Sequence, residues 1–344
     1  MPLPFRDSPM IRLWVKGIAI NRSTFFIFCQ KSKTKCVLLQ KYYLQLKRSF
    51  YMKIAAIDIG SNAARMQISS VLTNKNKVSF KKVEYVRFAL RLGMDVFHSG
   101  KITYESEARI KKLLRAYQLL MELHEVEAYM ICATSAMREA ENGANIVERI
   151  KNELGMEIHL IEGEQEAELI NNVIVVELEE EKTYLHIDVG GGSTELNIYK
   201  GQDKIAAKSF KIGSVRLLEH KEAPDVWKKM QTWINENLPK NEQITAVGTG
   251  GNISKLFNMI ASKTDTKASL KDVEKMRNYI NNFSLDERMN TLQLNADRAD
   301  VIVPASDIYI EVMKWAGANE IMVPDLGLKD GILMLVYETL MNEE

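Results

Sequence analysis

A chain of 344 residues with 46% hydrophobic and 26% charged residues has enough material for two cores and reads as soluble and globular. No apolar run approaches the roughly 18 residues of a membrane span, so no membrane partner is expected. Three cysteines exclude a disulfide framework and point to a reducing, cytoplasmic setting. The net charge of +1 divides unevenly: residues 1–51 carry ten Lys or Arg against the single acid Asp7, a net +9, which leaves −8 for the rest and argues against a nucleic-acid-coating protein.

Residues 1–51 show no strand–turn–helix grammar and end where a clean strand begins at Met52-Lys53-Ile54. A translation start placed too early, with Met52 the true start, is preferred over a basic binding tail. A signal peptide fits least, because Arg12 and Lys16 interrupt Ile11–Ile20 and no small-residue cleavage site follows. From Met52 the pattern is mixed α/β. Strands are predicted at Ile54–Ile57, Ala64–Ser70 and Val78–Phe88. The i, i+3, i+4 spacing of Ile110, Leu113, Leu114, Tyr117, Leu120 and Met121 predicts a helix over Tyr104–His124. A strand at Val126–Ala133, a helix at Ala144–Leu154, a strand at Glu157–Ile161 and a helix opening at Glu164 follow, which is βαβ traffic and implies parallel strands.

Near Tyr184 the grammar restarts. Strands are predicted at Tyr184–Val189, Glu195–Tyr199, Lys204–Lys211, Ile244–Val247 and Ile321–Val323. Helices are predicted at Ala223–Asn237, from Asn252, at Ser269–Asn281, Asp307–Ala316 and Gly331–Met341. The restart is a repeat. Ile57-Asp58-Ile59-Gly60-Ser61-Asn62-Ala63-Ala64-Arg65 lies without a gap over Ile187-Asp188-Val189-Gly190-Gly191-Gly192-Ser193-Thr194-Glu195, matching Asp, Gly and the apolar flanks. Two such units suggest duplicated domains facing each other across a cleft.

The second unit carries the stronger chemical signal. Three consecutive glycines let main-chain N–H groups converge on an anion, and Ser193 and Thr194 add hydroxyl donors. Asp188 before this nest and Glu195 after it would repel a phosphate unless a hard cation lies between, so the pattern implies phosphate with Mg²⁺, or Mn²⁺ in its place. A glycine-rich hairpin with no ligand is the bland alternative. In the first unit Ser61 and Asn62 are the corresponding donors and Asp58 the corresponding carboxylate. Gly248-Thr249-Gly250-Gly251 opens a helix whose N-terminus attracts anions. Glu164, Glu166 and Glu168 crowd one helix start. They either complement its dipole or supply the base that orients water for phosphoanhydride hydrolysis. Arg138, after a buried strand, suits phosphate oxygens or a surface ion pair.

Together these segments resemble the exopolyphosphatase and guanosine pentaphosphate phosphohydrolase (Ppx/GppA) family of the actin-like ATPase superfamily, from Met52 to about Tyr337. The landmarks are Ala56–Asn62, Ala133–Arg138, Glu162–Ala167, Ile187–Glu195, Ile212–Leu217, Gly248–Gly251 and Arg298–Ile302. The resemblance places the general base on Glu166 and a second, metal- and water-holding acid on Glu195. It makes Asp188 metal-linked, Arg138 substrate-binding, and Arg65 a contact to phosphate or to a guanosine substrate. It implies α/β architecture with two ribonuclease-H-like domains, residues 52–175 and 176–330, a cleft between them, and a C-terminal helix, 331–344, packed back on the first.

The implied activity is exopolyphosphatase. Guanosine pentaphosphate 5′-phosphohydrolase is the near alternative and a non-catalytic polyphosphate or alarmone sensor the further one. The expected substrate-binding set is Ser61, Asn62, Arg65, Arg138, Gly191, Gly192, Ser193, Thr194 and Gly250, with Asp58, Asp188 and Glu195 at the metal. A homodimer is implied as well. Three departures stand out: Ala63 where a hydroxyl is usual, Gly251-Asn252 where Gly-Thr is usual, and no further C-terminal metal-dependent helical domain. Nothing resembles a P-loop lysine or a kinase acceptor site.

Overall fold

The computed structural model describes residues 52–74, 77–260 and 265–342. The expectations for residues 1–51 lie outside them. Contacts divide the chain into two compact units. The described part of one is Met52 with residues 71–74 and 77–79, joined where Val71 N–H donates to the Met52 carbonyl at 2.9 Å. The other runs over Lys53–Ser70 and from Phe80 onward, and holds the candidate site. Among the described residues no helix is long and apolar enough to cross a membrane.

The first sheet has five strands: β1 (Lys53–Ile59), β2 (Ala63–Asn74), β3 (Lys77–Ala89), β4 (Ala128–Ala133) and β5 (Ile158–Leu160), in the order β3-β2-β1-β4-β5. Its helices are α1 (Leu92–Ser99), α2 (Tyr104–Leu123), α3 (Ser135–Glu139) and α4 (Gly143–Leu154), followed by α5 (Gly163–Ile174). β1 is antiparallel to β2 and parallel to β4. Alternation along β1 sends Ala55, Ile57 and Ile59 into one core with Ile110, Leu114 and Tyr117 of α2 and Ile146 and Ile150 of α4. Asp58 therefore points to the opposite face.

The second sheet repeats the plan. It contains β6 (Thr183–Val189), β7 (Thr194–Lys200), β8 (Asp203–Phe210), β9 (Ile244–Thr249), β10 (Lys267–Ser269) and β11 (Glu320–Met322), ordered β10-β11-β9-β6-β7-β8. Its helices are α6 (Ser214–Leu218), α7 (Val226–Asn237), α8 (Gly251–Ile260), α9 (Leu270–Asn281), α10 (Leu285–Asn290), α11 (Ala296–Ala299) and α12 (Ile302–Ala316). Again β6 is antiparallel to its hairpin partner β7 and parallel to β9. Leu185, Ile187 and Val189 enter a second core with Met230 and Ile234 of α7 and Ile308 and Val312 of α12. Asp188 faces away from it, as Asp58 does in the first sheet. The last helix, α13 (Leu328–Asn342), packs on β1, β4 and α5, while α5 also touches β7 and β8. α5 thus reaches both sheets.

Several elements differ from the periodicity reading. α1, α3, α6, α10, α11 and β10 span three to eight residues, too short to show a 3.6- or 2-residue period. α12 begins at Ile302, five residues before the predicted start. Pro304 does not prevent this, because in the first helical turn its missing N–H would have no partner in any case.

Candidate active site

The two hairpins meet at one place. A Cβ on Gly191 would lie 2.8 Å from the Ser61 side chain and 3.4 Å from the Asn62 nitrogen, so the tips approach main chain to main chain. Each hairpin is braced in the same way. In the first, the Ser61 and Asn62 carbonyls accept from the Gly93 and Arg91 N–H groups at 2.7 and 2.8 Å, at the start of α1. In the second, the Gly190 carbonyl accepts from Ser214 N–H, and the Gly191 carbonyl from Val215 and Arg216 N–H, at 2.9 to 3.0 Å, at the start of α6. The helix starts consume the hairpin carbonyls. Among the described residues the N–H groups of Gly191 and Gly192 have no protein acceptor, which leaves donors for an anion.

Register assigns the charges. Asp58 pairs across the hairpin with Arg65, and Asp188 with Glu195. The first hairpin is therefore internally neutralised, by a 2.5 Å ion pair from Arg65 Nη1 to Asp58 Oδ2. The second presents two carboxylates side by side. Asp188 is buried, and burial raises its pKa to about 6. Burial, then the Asp188 charge, raises Glu195 to about 7, although hydroxyls of Ser193 and Ser209 donate to it.

α5 adds the third acid of this cluster. Its capping box joins Glu162 and Gln165, and Gly163 lets the helix start lie against Ser209, where a Cβ would meet the Ser209 side chain at 2.8 Å. Glu164 and Glu168 are exposed, whereas Glu166 is partly buried and turned inward. Its Oε2 is buried without a hydrogen-bond partner. Burial, reinforced by Glu195, Asp188 and Asp58, pushes the Glu166 pKa well above the ordinary range.

These groups border a cavity of about 290 Å³ lined by Asp58, Ser61, Asn62, Arg65, Glu166, Asp188, Gly191, Ser193 and Gly250. The remaining expected site residues sit elsewhere. Thr194 is fully buried and its hydroxyl donates to the Ile212 carbonyl at 2.6 Å, so it closes the hairpin. Gly192 accepts from Arg216 Nε at 2.8 Å, and Arg216 also binds Glu139 and stacks on Phe97. Glu195 is 2% exposed, behind the cavity wall. Arg138 donates to the Ile161 carbonyl and pairs with Glu162 at 3.3 Å, yet its charge still lowers the pKa values of Glu166 and Glu195.

Residues that sequence reasoning did not single out bring further positive charge to the cavity. Lys82, Arg87, Lys255, Arg298 and Lys329 line it together with Arg65. Arg298 belongs to a landmark segment but had no role. Its guanidinium makes no hydrogen bond or ion pair among the described residues, and burial, then the nearby Arg87, lower its pKa. Such a group is free to pair with an anion.

Among the described residues no three His, Cys, Asp or Glu side chains form a closed metal cage. Asp188 and Glu195, side by side on the second hairpin, are the carboxylates a hard cation such as Mg²⁺ would use.

The cluster also predicts a pH dependence. The folded-state values of Glu195 and Glu166 are raised, so their stabilisation is complete below the unfolded value and is lost as pH rises through the folded one. Buried, neutral His186 works oppositely: its pKa is lowered to about 3, so it destabilises only as pH falls below about 6.5. Asp188, raised to about 6, acts with the two glutamates, and the three carboxylates outweigh the one His, so metal-free protein should lose thermal stability from about pH 4.5 up through about pH 7, and Glu195→Gln should flatten that decline. A flat wild-type profile in chelator would contradict the cluster's electrostatics.

The fold is a two-sheet α/β architecture with duplicated hairpins turned toward a basic cavity and an acidic cluster. Residues 71–340 match the Ppx/GppA phosphatase family, and the chain belongs to it. It is 26% identical to exopolyphosphatase 2 of Mycobacterium tuberculosis over 82% of this chain and 98% of that protein. It is also 26% identical to a bifunctional 3-dehydroquinate synthase/phosphatase of Fusobacterium nucleatum, over 84% of this chain but only 47% of that protein's length. A guanosine-5′-triphosphate,3′-diphosphate pyrophosphatase of Photobacterium profundum matches at 26% over 83% of this chain and 58% of its own. In three dimensions, an exopolyphosphatase from Cytophaga hutchinsonii superposes with a TM-score of 0.71 at 25% identity, over 84% of this chain and 98% of that one.

Proposed function

We propose that the protein is a Mg²⁺-dependent phosphoanhydride hydrolase that removes the terminal phosphate of inorganic polyphosphate. The observation that carries this reading is the buried, unpartnered Glu166 Oε2, set where two anion-binding hairpins meet a cavity with six basic side chains. Likeness to the M. tuberculosis and C. hutchinsonii exopolyphosphatases supports it.

The hairpin N–H groups, Ser61, Ser193 and Arg298 hold the terminal phosphate, and the basic wall follows the chain behind it. Glu166 accepts the proton of a water that attacks phosphorus in line, while the anhydride bond to the shortened chain breaks. Burial raises its pKa, which makes it a stronger base than an ordinary carboxylate. Asp188 and Glu195 are the groups that would hold the cation. Asp58 is less suited, because Arg65 already neutralises it. The cation, when bound, offsets charge on the phosphate oxygens.

Guanosine pentaphosphate is the second reading. Tyr85, 39% exposed at the cavity, offers a ring on which a base can stack. Phosphate release by the Met52–Glu344 protein from long polyphosphate and from guanosine pentaphosphate, measured in parallel with Mg²⁺, decides between them. Fast release from polyphosphate alone is expected. Release from the nucleotide alone would transfer the protein to the second reading, and binding without release would make it a sensor.

A further inference from the structure

Beneath the second hairpin lies a buried polar chain with no part in the chemistry above. Asp188 and His186 are two residues apart on β6 and so share a face. On the antiparallel side His186 lies opposite Asn197, and on the parallel side Asp188 lies beside Thr249. His186, Asn197 and Thr249 are all 0% exposed. Asn197 Nδ2 lies 3.0 Å from His186 Nδ1, and His186 Nε2 lies 2.9 Å from Thr249 Oγ1. Thr249 is the register partner of Asp188 across the parallel ladder, which sets its hydroxyl to donate to the Asp188 carboxylate and so hold that carboxylate's pKa down against burial.

The chemistry of the atoms gives this chain a direction. An amide NH₂ can only donate, so Nδ1 accepts and the ring proton sits on Nε2. Nε2–H then donates to Thr249 Oγ1, which leaves the hydroxyl proton for Asp188. Asn197 Oδ1 is left buried without a partner. Turning the amide over would satisfy Oδ1 but reverse every bond and aim the Thr249 lone pairs at a carboxylate. The main chain of Thr249 is held too: the Tyr309 hydroxyl donates to its carbonyl and accepts from Val189 N–H at 3.2 Å.

We propose that Asn197, His186 and Thr249 form a one-way hydrogen-bond relay that aims the Asp188 carboxylate, which makes Thr249 and His186 positioning residues for the site. The inference rests on the reading of Asp188 as a cation-side carboxylate of a phosphohydrolase. Partners behind a metal-side group typically change affinity or activity about 10–100-fold when lost.

The test compares Thr249→Val, which keeps the shape and loses the hydroxyl, with Thr249→Ser, which restores it. kcat and KM for phosphate release are measured, and Mn²⁺ affinity is measured without substrate by electron paramagnetic resonance. Thr249→Val is expected to lower kcat and Mn²⁺ affinity about 10–100-fold with KM little changed, and Thr249→Ser to recover most of both. Folded Thr249→Val with wild-type kcat and Mn²⁺ affinity, or equal losses in Val and Ser, overturns the relay. If Thr249→Val does not fold, His186→Leu is compared with His186→Gln, whose amide N–H can stand in for Nε2–H. Equal behaviour of that pair overturns it. If the wild type releases no phosphate from any substrate, the functional reading fails, and the Mn²⁺ measurement alone judges the relay.

Discussion

Glu166→Gln is expected to lower kcat about 10²–10⁴-fold, the usual loss for a positioned general base, while the protein stays folded. Three glutamates open α5, but only Glu166 turns a buried, unpartnered oxygen toward the hairpins. Glutamine keeps its shape and cannot take a proton from water. It also removes one of the mutually repelling charges that raise the pKa values in the cluster, so the melting temperature should hold or rise in metal-free buffer. Glu164→Gln and Glu168→Gln change exposed side chains and should leave turnover near wild type. Steady-state phosphate release with a parallel thermal scan separates a lost base from a lost fold. Undiminished turnover in folded Glu166→Gln would remove Glu166 from the mechanism.

Gly213→Ala is expected to have the largest effect of any single methyl group near the site. Its Cβ would stand 2.6 Å from the carbonyl carbon and oxygen of Gly191 and from the Gly192 nitrogen. These are main-chain atoms, held by the bonds from Ser214, Val215 and Arg216, so no side chain can swing aside. Overpacking of this kind costs about 1–3 kcal/mol. Any relief must displace the hairpin N–H groups assigned to the phosphate in the proposed function. Urea denaturation should show the stability loss, and polyphosphate binding should weaken in whatever protein remains folded. Wild-type stability together with wild-type binding would show that the α6 start does not set the hairpin.

Legibility in the sequence followed the range of the interaction. The hairpins at Asp58–Asn62 and Asp188–Glu195, their repeat, and the main strands were readable because alternation and turn chemistry act over a few neighbouring residues. The family resemblance carried by those segments is supported by the match over residues 71–340. Thr194 shows the limit of such reading. A hydroxyl inside a phosphate motif looks like a ligand group, but it closes onto the Ile212 carbonyl.

By itself, then, the sequence determined where the glycine-containing hairpins are and that acids flank them, since both follow from local backbone freedom and spacing. Tertiary structure alone decided which acid of α5 faces the hairpins. It also assembled the basic wall from Lys82, Arg87, Lys255, Arg298 and Lys329, and placed His186 and Thr249 behind Asp188. Those outcomes depend on which strand lies beside which and on how α5 reaches both sheets. Such contacts join residues far apart in the chain, and no local period or spacing encodes them.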